Sequence, residues 1–236
     1  MNHIFIMRKR MIPGALAAVF TCIACAWPVT PLATGQRFMT YREFDRGDQK
    51  TANFSIVATR TGDSISIQTI KGKEHIGEEL LCDAAWRTTW WHYCSNDNTD
   101  LVSRRRGDSI LLNGRLKGKP VSKVLAIDTH PWYQLVTMGM QTIAADSAAG
   151  SKYWAVSIEG LAVLKAAPFK VVAIVDTVLP GHPEISCRRV QAKIDGFFGR
   201  FWDGYYFIRR DNGRFIHFEG YRTGSKKSSG TIDVVQ

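Results

Sequence analysis

The sequence predicts a mainly β protein built on a single curled antiparallel sheet, a half-barrel of about ten strands with one short inserted helix. Three observations carry this prediction. Short segments alternate between apolar and polar residues, which is typical of strands that bury one face. Turn-forming residues recur about every 8–12 positions between these segments. One segment shows the spacing of apolar residues that is expected of a helix.

The strand segments follow one another along the chain with tight turns between them. Segment 64–70 alternates between apolar or β-branched residues and polar ones, and Thr61-Gly62-Asp63 turns the chain back toward 51–60, which predicts a hairpin. Near the end of the chain, Asn212-Gly213 predicts a second tight hairpin. The clearest strand segments are 38–44, 51–60, 64–70, 100–106, 121–127, 153–158, 169–176, 187–194, 205–210 and 215–219.

The helix prediction covers residues 131–140. Within this segment, Trp132, Leu135, Val136 and Met140 are spaced to share one helical face. A sheet of about ten strands must curl or close to protect its edges. Curling the sheet around this helix would leave an apolar hollow on its concave side.

The N-terminus has the layout of a secretory signal peptide. A basic segment, Arg8 to Arg10, precedes an apolar run over 11–25, and Ala24-Cys25-Ala26 fits a cleavage site. We therefore expect residues 1–26 to be removed. A single domain over 27–236 would remain, periplasmic or secreted, with no stable transmembrane segment. A lipidated cysteine and an uncleaved membrane anchor are the alternatives.

The chain is basic. Its formal net charge of +10 falls to +7 when the three basic residues of the signal peptide leave. A basic exported protein meets an anionic envelope surface rather than nucleic acid, so we expect that surface as a partner and no nucleic acid. Ordinary solubility is the alternative explanation of the charge. Residues from about 221 to 236 are rich in Gly, Ser and Lys, which predicts a flexible tail.

Three cysteines remain after cleavage: Cys82, Cys94 and Cys187. In an oxidising compartment an odd number suggests one disulfide and one free thiol. A Cys82–Cys94 disulfide needs a chain reversal between the two residues, because a continuous strand would hold them about 40 Å apart. A Cys82–Cys94 disulfide is therefore possible, with the other pairings and three free thiols as open alternatives.

Residues 84–95, AAWRTTWWHYCS, concentrate aromatic side chains. If the stretch is one strand, Trp86, Trp90 and His92 share one face and Trp91 lies on the other. We expect the face with Trp86 and Trp90 to line the core or the hollow. His92 and a nearby cysteine lack further ligands at metal-binding spacing, so we predict no metal site.

No motif of a hydrolase appears in the sequence. His130 beside Asp128, and His182 in the loop 180–183, are the only loop histidines that could act as bases. Nothing in their spacing adds a nucleophile, so we predict no catalytic residues and no cofactor.

Several short motifs occur together with the signal peptide: Thr89-Trp90, Pro131-Trp132, Gln141, Asp146 to Gly150 and Asn212-Gly213. Over about 37–220, this order resembles a group of uncharacterised secreted bacterial proteins with a domain of unknown function. That group is similar in fold to the lipoprotein-carrier half-barrels and to a cofactor-less pigment-biosynthesis enzyme. The resemblance implies a curved antiparallel sheet whose concave face holds apolar groups, the face that takes up acyl chains in the carriers.

These observations favour a non-enzymatic exported protein that binds an apolar or amphipathic ligand, such as a lipid, in the hollow. Trp86, Trp90, Trp132 and Phe207 are the predicted ligand-binding residues. A structural or partner-binding module of the cell envelope, with a filled core, is the first alternative. A cofactor-less enzyme using His130 or His182 is the second.

Overall fold

The structure, a computed structural model, describes residues 35–45, 50–71, 76–146, 149–159, 163–196, 203–221 and 228–234. These residues form one antiparallel sheet, which is not closed, and one helix. The predicted fold class is therefore confirmed. The sheet has 14 described strands rather than about ten, because segments with weak alternation also pair. The predicted signal peptide over 1–26 lies outside the described residues.

The strands are β1 (Gly35–Asp45), β2 (Lys50–Thr61), β3 (Ser64–Lys71), β4 (Ile76–Asp83), β5 (Thr88–Ser95), β6 (Thr99–Arg106), β7 (Ser109–Leu116), β8 (Lys119–Ala126), β9 (Lys152–Glu159), β10 (Val163–Leu179), β11 (His182–Ile194), β12 (Asp203–Arg209), β13 (Phe215–Tyr221) and β14 (Ser228–Val234). The described helix is α1 (Val136–Asp146).

The sheet is a meander whose first and last strands meet in its middle. The strand order is β8 to β1, then β14 to β9, so β1 pairs with β14 and the two ends of the order are β8 and β9. Both predicted hairpins are present, β2 with β3 and β12 with β13. The chain between β8 and β9 contains α1, and therefore crosses from one end of the sheet to the other.

One face of the sheet carries the core. In β3, Ile65, Ile67 and Thr69 are buried while the intervening residues are exposed, as the alternation predicts. Helix α1 lies against β11, β12 and β13. On the core-facing side of these strands, Ala192 pairs with Gly204 and Gly204 pairs with Gly220. Such small residues leave room for a helix to approach the sheet closely.

The helix begins later than predicted. The expected helix over 131–140 is wrong in its first half, because Trp132 forms a parallel bridge with Trp154 of β9 and the chain bends at 134–135 before the helix. The backbone N–H of Tyr133 donates to the Trp154 carbonyl at 2.9 Å, and that of Trp154 donates to the Pro131 carbonyl at 2.8 Å. These bonds with β9 replace the helical ones, so α1 starts only at Val136.

The side-chain amide of Gln134 extends the pairing with β9. Its Oε1 accepts from the backbone N–H of Val156 at 2.9 Å, and its Nε2 donates to the Val156 carbonyl at 3.1 Å. The same Oε1 accepts from the indole N–H of Trp132 at 2.9 Å. Gln134 is 1% exposed. The buried amide thus makes the pair of hydrogen bonds to β9 that the backbone of a neighbouring strand would make.

The other side of this segment is bound to the start of β5. The backbone N–H of Thr88 donates to the Trp132 carbonyl at 2.7 Å, and the backbone N–H of Gln134 donates to Thr88 Oγ1 at 3.0 Å. β5 and β9 are far apart in the strand order. Residues 131–134 therefore hold the two halves of the sheet together in its curled form.

The C-terminal segment contributes a central strand. Residues from about 221 to 236 were expected to form a flexible tail, but Ser228–Val234 is β14, paired with both β1 and β13. The segment is mostly polar, but it contains a short alternation of buried and exposed residues, in which Ile232 is 4% exposed. The tail prediction is therefore wrong for this segment, while residues 222–227 and 235–236 lie outside the described residues.

The predicted Cys82–Cys94 disulfide does not fit the hairpin. Cys82 pairs with Thr88 beside the turn of β4 and β5, whereas Cys94 pairs with Gly77 at the opposite end. Five residues of strand correspond to about 17 Å, against a usual Cα separation of about 6 Å in a disulfide. Both residues are free thiols, so the pairing is wrong, although the predicted chain reversal is present.

Replacing Gln134 by Met should destabilise the fold strongly. The substitution leaves the Val156 N–H, the Val156 carbonyl and the Trp132 indole N–H without the amide, and each buried unsatisfied group costs about 1–3 kcal/mol. We expect the free energy of unfolding, measured by urea denaturation, to fall by about 3 kcal/mol or more. The exposed Gln68→Met change should cost less than about 0.5 kcal/mol. Equal losses in both variants would contradict the role assigned to Gln134.

Gly139 of α1 should not tolerate a side chain. A Cβ at this position would lie 2.5 Å from Cγ of the Tyr133 ring, which is 4% exposed. Overpacking costs about 1–3 kcal/mol, and alanine returns up to about 1 kcal/mol of helix propensity. We expect Gly139→Ala to lower the thermal midpoint, with the exposed Ala145→Ser as the control that leaves it nearly unchanged. An unchanged midpoint for Gly139→Ala would show that the Tyr133 ring can move.

Candidate functional site

The aromatic stretch 84–95 is divided by a turn and a bulge. Trp86 lies in the turn before β5, with a φ of 61°, and its N–H donates to the Asp83 carbonyl at 2.9 Å. The Asp83 carboxylate accepts from the backbone N–H groups of Ala85 and Arg87. The register of β4 with β5 then shifts between Leu81 and the next residue. Trp86 is therefore not on the strand that carries the other two tryptophans.

The bulge places the core on the side opposite to the one predicted. Trp91 is 1% exposed, and its indole N–H donates to Oε1 of the buried Glu78 at 2.6 Å. Trp90 and His92 lie on the other face and are half-buried. The alternation separates Trp90 from Trp91 as expected. The assignment of Trp90 to the core side is wrong, because the strand begins after Trp86 and the extra residue of the bulge changes the register.

Trp90 belongs to a row that crosses five strands on the outer face of the sheet. Direct pairing links Leu81 to Trp90, Trp90 to Arg104, Arg104 to Leu111, and Leu111 to Val124. Leu81 is 44% exposed and Val124 is 70% exposed. We call these five residues the outer row. It presents apolar groups away from the core, on the half of the sheet that ends at β8.

A histidine with two carboxylates lies next to the outer row. His92 Nε2 is 2.9 Å from Asp100 Oδ1, and its Nδ1 is 3.7 Å from Glu79 Oε2. The Trp90 ring lies against the imidazole, with centroids 6.0 Å apart. Glu79 Oε1 also accepts from Nε2 of Gln68 at 3.0 Å. The carboxylates nearest to the outer row are thus already engaged by neighbouring side chains.

The four predicted ligand-binding residues are not brought together. Trp132 is 0% exposed in the core, and Trp86 packs against that core from the turn. Trp90 is on the outer face. Phe207 lies on β12, on the face opposite to the buried Tyr206. These four side chains therefore do not line one shared hollow. The role of each residue in ligand binding stays a prediction.

Phe207 packs beside a clamped histidine. The imidazole of His217 lies 5.3 Å from the Phe207 ring, between centroids. Its Nδ1 is 2.5 Å from Asp233 Oδ1 and its Nε2 is 3.1 Å from Glu219 Oε1. Burial lowers the pKa of His217, but the bonds to both carboxylates outweigh it and raise that pKa to about 9. His217, with 12% of its side chain exposed, is thus a cation near neutral pH.

The loop histidines lie outside the apolar interior. His130, with 42% of its side chain exposed, contacts Asp128 Oδ1 at 2.8 Å. Asp128 also accepts from the Trp154 indole at 2.7 Å, and this bond, with those from His130, lowers the pKa of Asp128 to about 2. Arg105 donates to the backbone carbonyls of both residues. The arrangement fixes the loop that precedes residues 131–134.

His182 is at the start of β11, with 61% of its side chain exposed and Glu184 as its partner at 3.3 Å. Neither loop histidine faces the enclosed interior beside a carboxylate, which is the geometry that the enzyme alternative requires. Within the described ranges, no group of three or more His, Cys, Asp or Glu side chains could hold a metal ion. Over the same ranges, no helix is long and apolar enough to cross a membrane.

The outer row was only partly accessible to sequence reasoning. Leu111 falls between Ile110 and Leu112 in a run where strict alternation would place a polar residue. That exception indicates an apolar side chain on the outer face. The sequence does not give the register between strands, and only the register aligns Leu111 with Trp90 through Arg104.

Comparison with known proteins adds little. No protein-family model matches the chain, and no curated protein matches it. Among solved structures, the chain is similar to the crystal structure of a DUF1329 family protein from Desulfovibrio piger. The identity is 8%, the match covers 88% of this chain and 86% of that chain, and the TM-score is 0.31. A likeness at this level supports no conclusion about function.

The clamp around His217 predicts a pH dependence of stability. The folded-state pKa of about 9 lies above the ordinary value of 6.5, so the stabilisation is complete below about pH 6.5 and is lost as the pH rises through about 9. The shift corresponds to roughly 3 kcal/mol. Urea unfolding at pH 6 and at pH 9.5 should show this loss.

His217→Asn should remove most of that loss, because the side chain no longer titrates. His182→Asn, which changes an exposed histidine, is the matched control and should keep the wild-type slope. If both variants keep the slope, His217 is not the group responsible.

Proposed function

We propose that this protein is an exported, non-enzymatic binding protein of the cell envelope that holds an amphipathic ligand on the outer face of β4–β8. The outer row is the single observation that carries the proposal. It places four apolar side chains side by side across five strands, with Leu81 and Val124 well exposed. A strip of apolar side chains on a sheet face, with charged and polar residues within and beside it, is typical of a binding surface.

The filled interior favours the outer face over a hollow. Eight of the 11 residues of α1 are buried, so the helix is covered on nearly all sides. Trp132, Tyr153 and Phe169 are each at most 1% exposed, and a water-sized space beside them would raise that fraction. An acyl chain on the concave side would have to displace α1 or these rings. The outer row needs no such rearrangement.

Export is the second part of the proposal, and it rests on the N-terminal sequence. The basic segment, the apolar run and the Ala24-Cys25-Ala26 site support removal of residues 1–26 and a periplasmic or secreted location. A location at the envelope supplies amphipathic ligands, above all lipids, to a surface of this kind.

A partner-binding module is a second candidate function, favoured by one observation. β10 and β11 continue past the end of β12, whose last pair with β11 is Cys187 with Arg209. Val175 and Val178 on this hairpin are 44% and 46% exposed. An extended hairpin with exposed valines offers a surface to a protein partner.

Binding of a fluorescent lysophospholipid, below its critical micelle concentration, tests the first proposal. Trp90→Ala should weaken binding about five- to thirty-fold, since part of a tryptophan surface of roughly 150–250 Å² leaves the contact. Val124→Ser, at a position too exposed to affect folding, should weaken it about two- to five-fold. Val178→Ser on the projecting hairpin is the matched control and should leave binding unchanged.

Two results would count against the outer row. Binding that persists in both Trp90→Ala and Val124→Ser would place the ligand elsewhere. Absence of binding by the wild-type protein, together with loss of a protein partner in Val178→Ser, would favour the partner-binding module instead.

A further inference from the structure

Arg104 occupies the centre of the outer row. It pairs with Trp90 on one side and Leu111 on the other, and its side chain is exposed. Several other arginines of the described strands and turns have carboxylate partners: Arg87 with Asp83, Arg188 and Arg210 with Asp176, and Arg209 with Asp211. Arg104 forms no ion pair with any residue in the described ranges.

The acidic residues on the same face are engaged elsewhere. Glu79 and Asp100 lie on either side of His92, at 3.7 Å and 2.9 Å from its ring nitrogens. Asp83 is bound to Arg87 at 2.6 Å. Arg106, two positions beyond Arg104 on β6, is exposed and lies on the same face by strand alternation. The outer row thus combines apolar side chains with an arginine that has no counter-ion among the residues that the structure describes.

We propose that the outer row is a docking surface for an anionic phospholipid bilayer, an inference that rests on the proposed function and names its ligand. Tryptophan and aliphatic side chains enter the interfacial region of the bilayer, where an amphipathic indole is favoured. The planar guanidinium of Arg104 donates to the phosphate oxygens of the headgroups. Arg106 and the net positive charge of the chain add attraction to the negative surface.

The dimensions of the row favour a bilayer over a second copy of the chain. Four steps between neighbouring strands give a length of about 19 Å, at a width of one side chain. A stable dimer buries about 800 Å² on each partner, which is far more than this strip offers. The row also reaches Val124 on β8, at one end of the sheet, so a flat surface can approach it there.

Sedimentation with vesicles tests the inference. The purified protein is mixed with vesicles of phosphatidylcholine alone or with phosphatidylglycerol added, at low and at high salt. We expect at least tenfold stronger binding to the anionic vesicles, and a loss of that preference at high salt.

The matched pair of variants is Arg104→Gln and Arg115→Gln. Each removes one positive charge from an exposed arginine on the same face of the sheet, but Arg115 on β7 lies four positions from Leu111 and hence about 13 Å from the row. Arg104→Gln should weaken binding to anionic vesicles about fivefold or more. Arg115→Gln should change it less than twofold.

Four results would overturn the inference. Equal weakening by the two variants would show diffuse attraction by net charge rather than docking through the row. Equal binding to both kinds of vesicle would remove the preference for anionic headgroups, and binding of lysophospholipid monomers without binding of vesicles would remove the bilayer. Either result would leave the proposed function standing. Self-association that Trp90→Ala abolishes, with no vesicle binding, would assign the row to a second copy.

Discussion

The amide of Gln134 is the interaction on which the shape of the molecule depends. It bonds to both backbone groups of Val156 and to the indole of Trp132, while its own backbone N–H donates to Thr88. The segment 131–134 therefore pairs with β9 on one side and touches the start of β5 on the other. This segment links the half of the sheet that ends at β8 to the half that ends at β9, as does the bond from Lys123 Nζ of β8 to the Leu164 carbonyl of β10 at 3.2 Å. All of the groups bonded to Gln134 are buried, so losing any one leaves an unsatisfied polar atom.

These bonds of residues 131–134 to β9 and β5 also determine what the interior can contain. Because residues 131–133 bond to β9, α1 begins only at Val136, and most of its residues are buried in the core. The row of small residues formed by Ala192, Gly204 and Gly220 admits the helix closely. A curled sheet around a helix was expected to leave a hollow. In the structure, α1 and the rings of Trp132, Tyr153 and Phe169 are buried on that side.

The charged side chains of the outer face differ in whether they have a partner of opposite charge among the residues that the structure describes. Carboxylates are held by histidines or by neighbouring arginines, as Asp233 and Glu219 are by His217 and as Asp100 is by His92. The bonds to both carboxylates raise the pKa of His217 to about 9, so this clamp stabilises the fold. Arg104 stands apart from this scheme, since it lies among apolar side chains. That contrast is why the outer row is the surface to which we assign binding.

The sequence by itself determined the mainly β class, the single antiparallel sheet, its two tight hairpins and the presence of one helix. Local alternation and turn residues encode these features, and both act over a few residues. The tertiary structure decided where the helix starts, that the C-terminal segment forms a strand, and on which face Trp90 lies. The first two depend on a partner distant in the chain, β9 for residues 131–134 and β1 for β14, whereas the face of Trp90 depends on the bulge in its pairing with the neighbouring strand β4. Only the register between strands could bring Leu81, Trp90, Arg104, Leu111 and Val124 into one row, because no local pattern specifies which residues of neighbouring strands lie side by side.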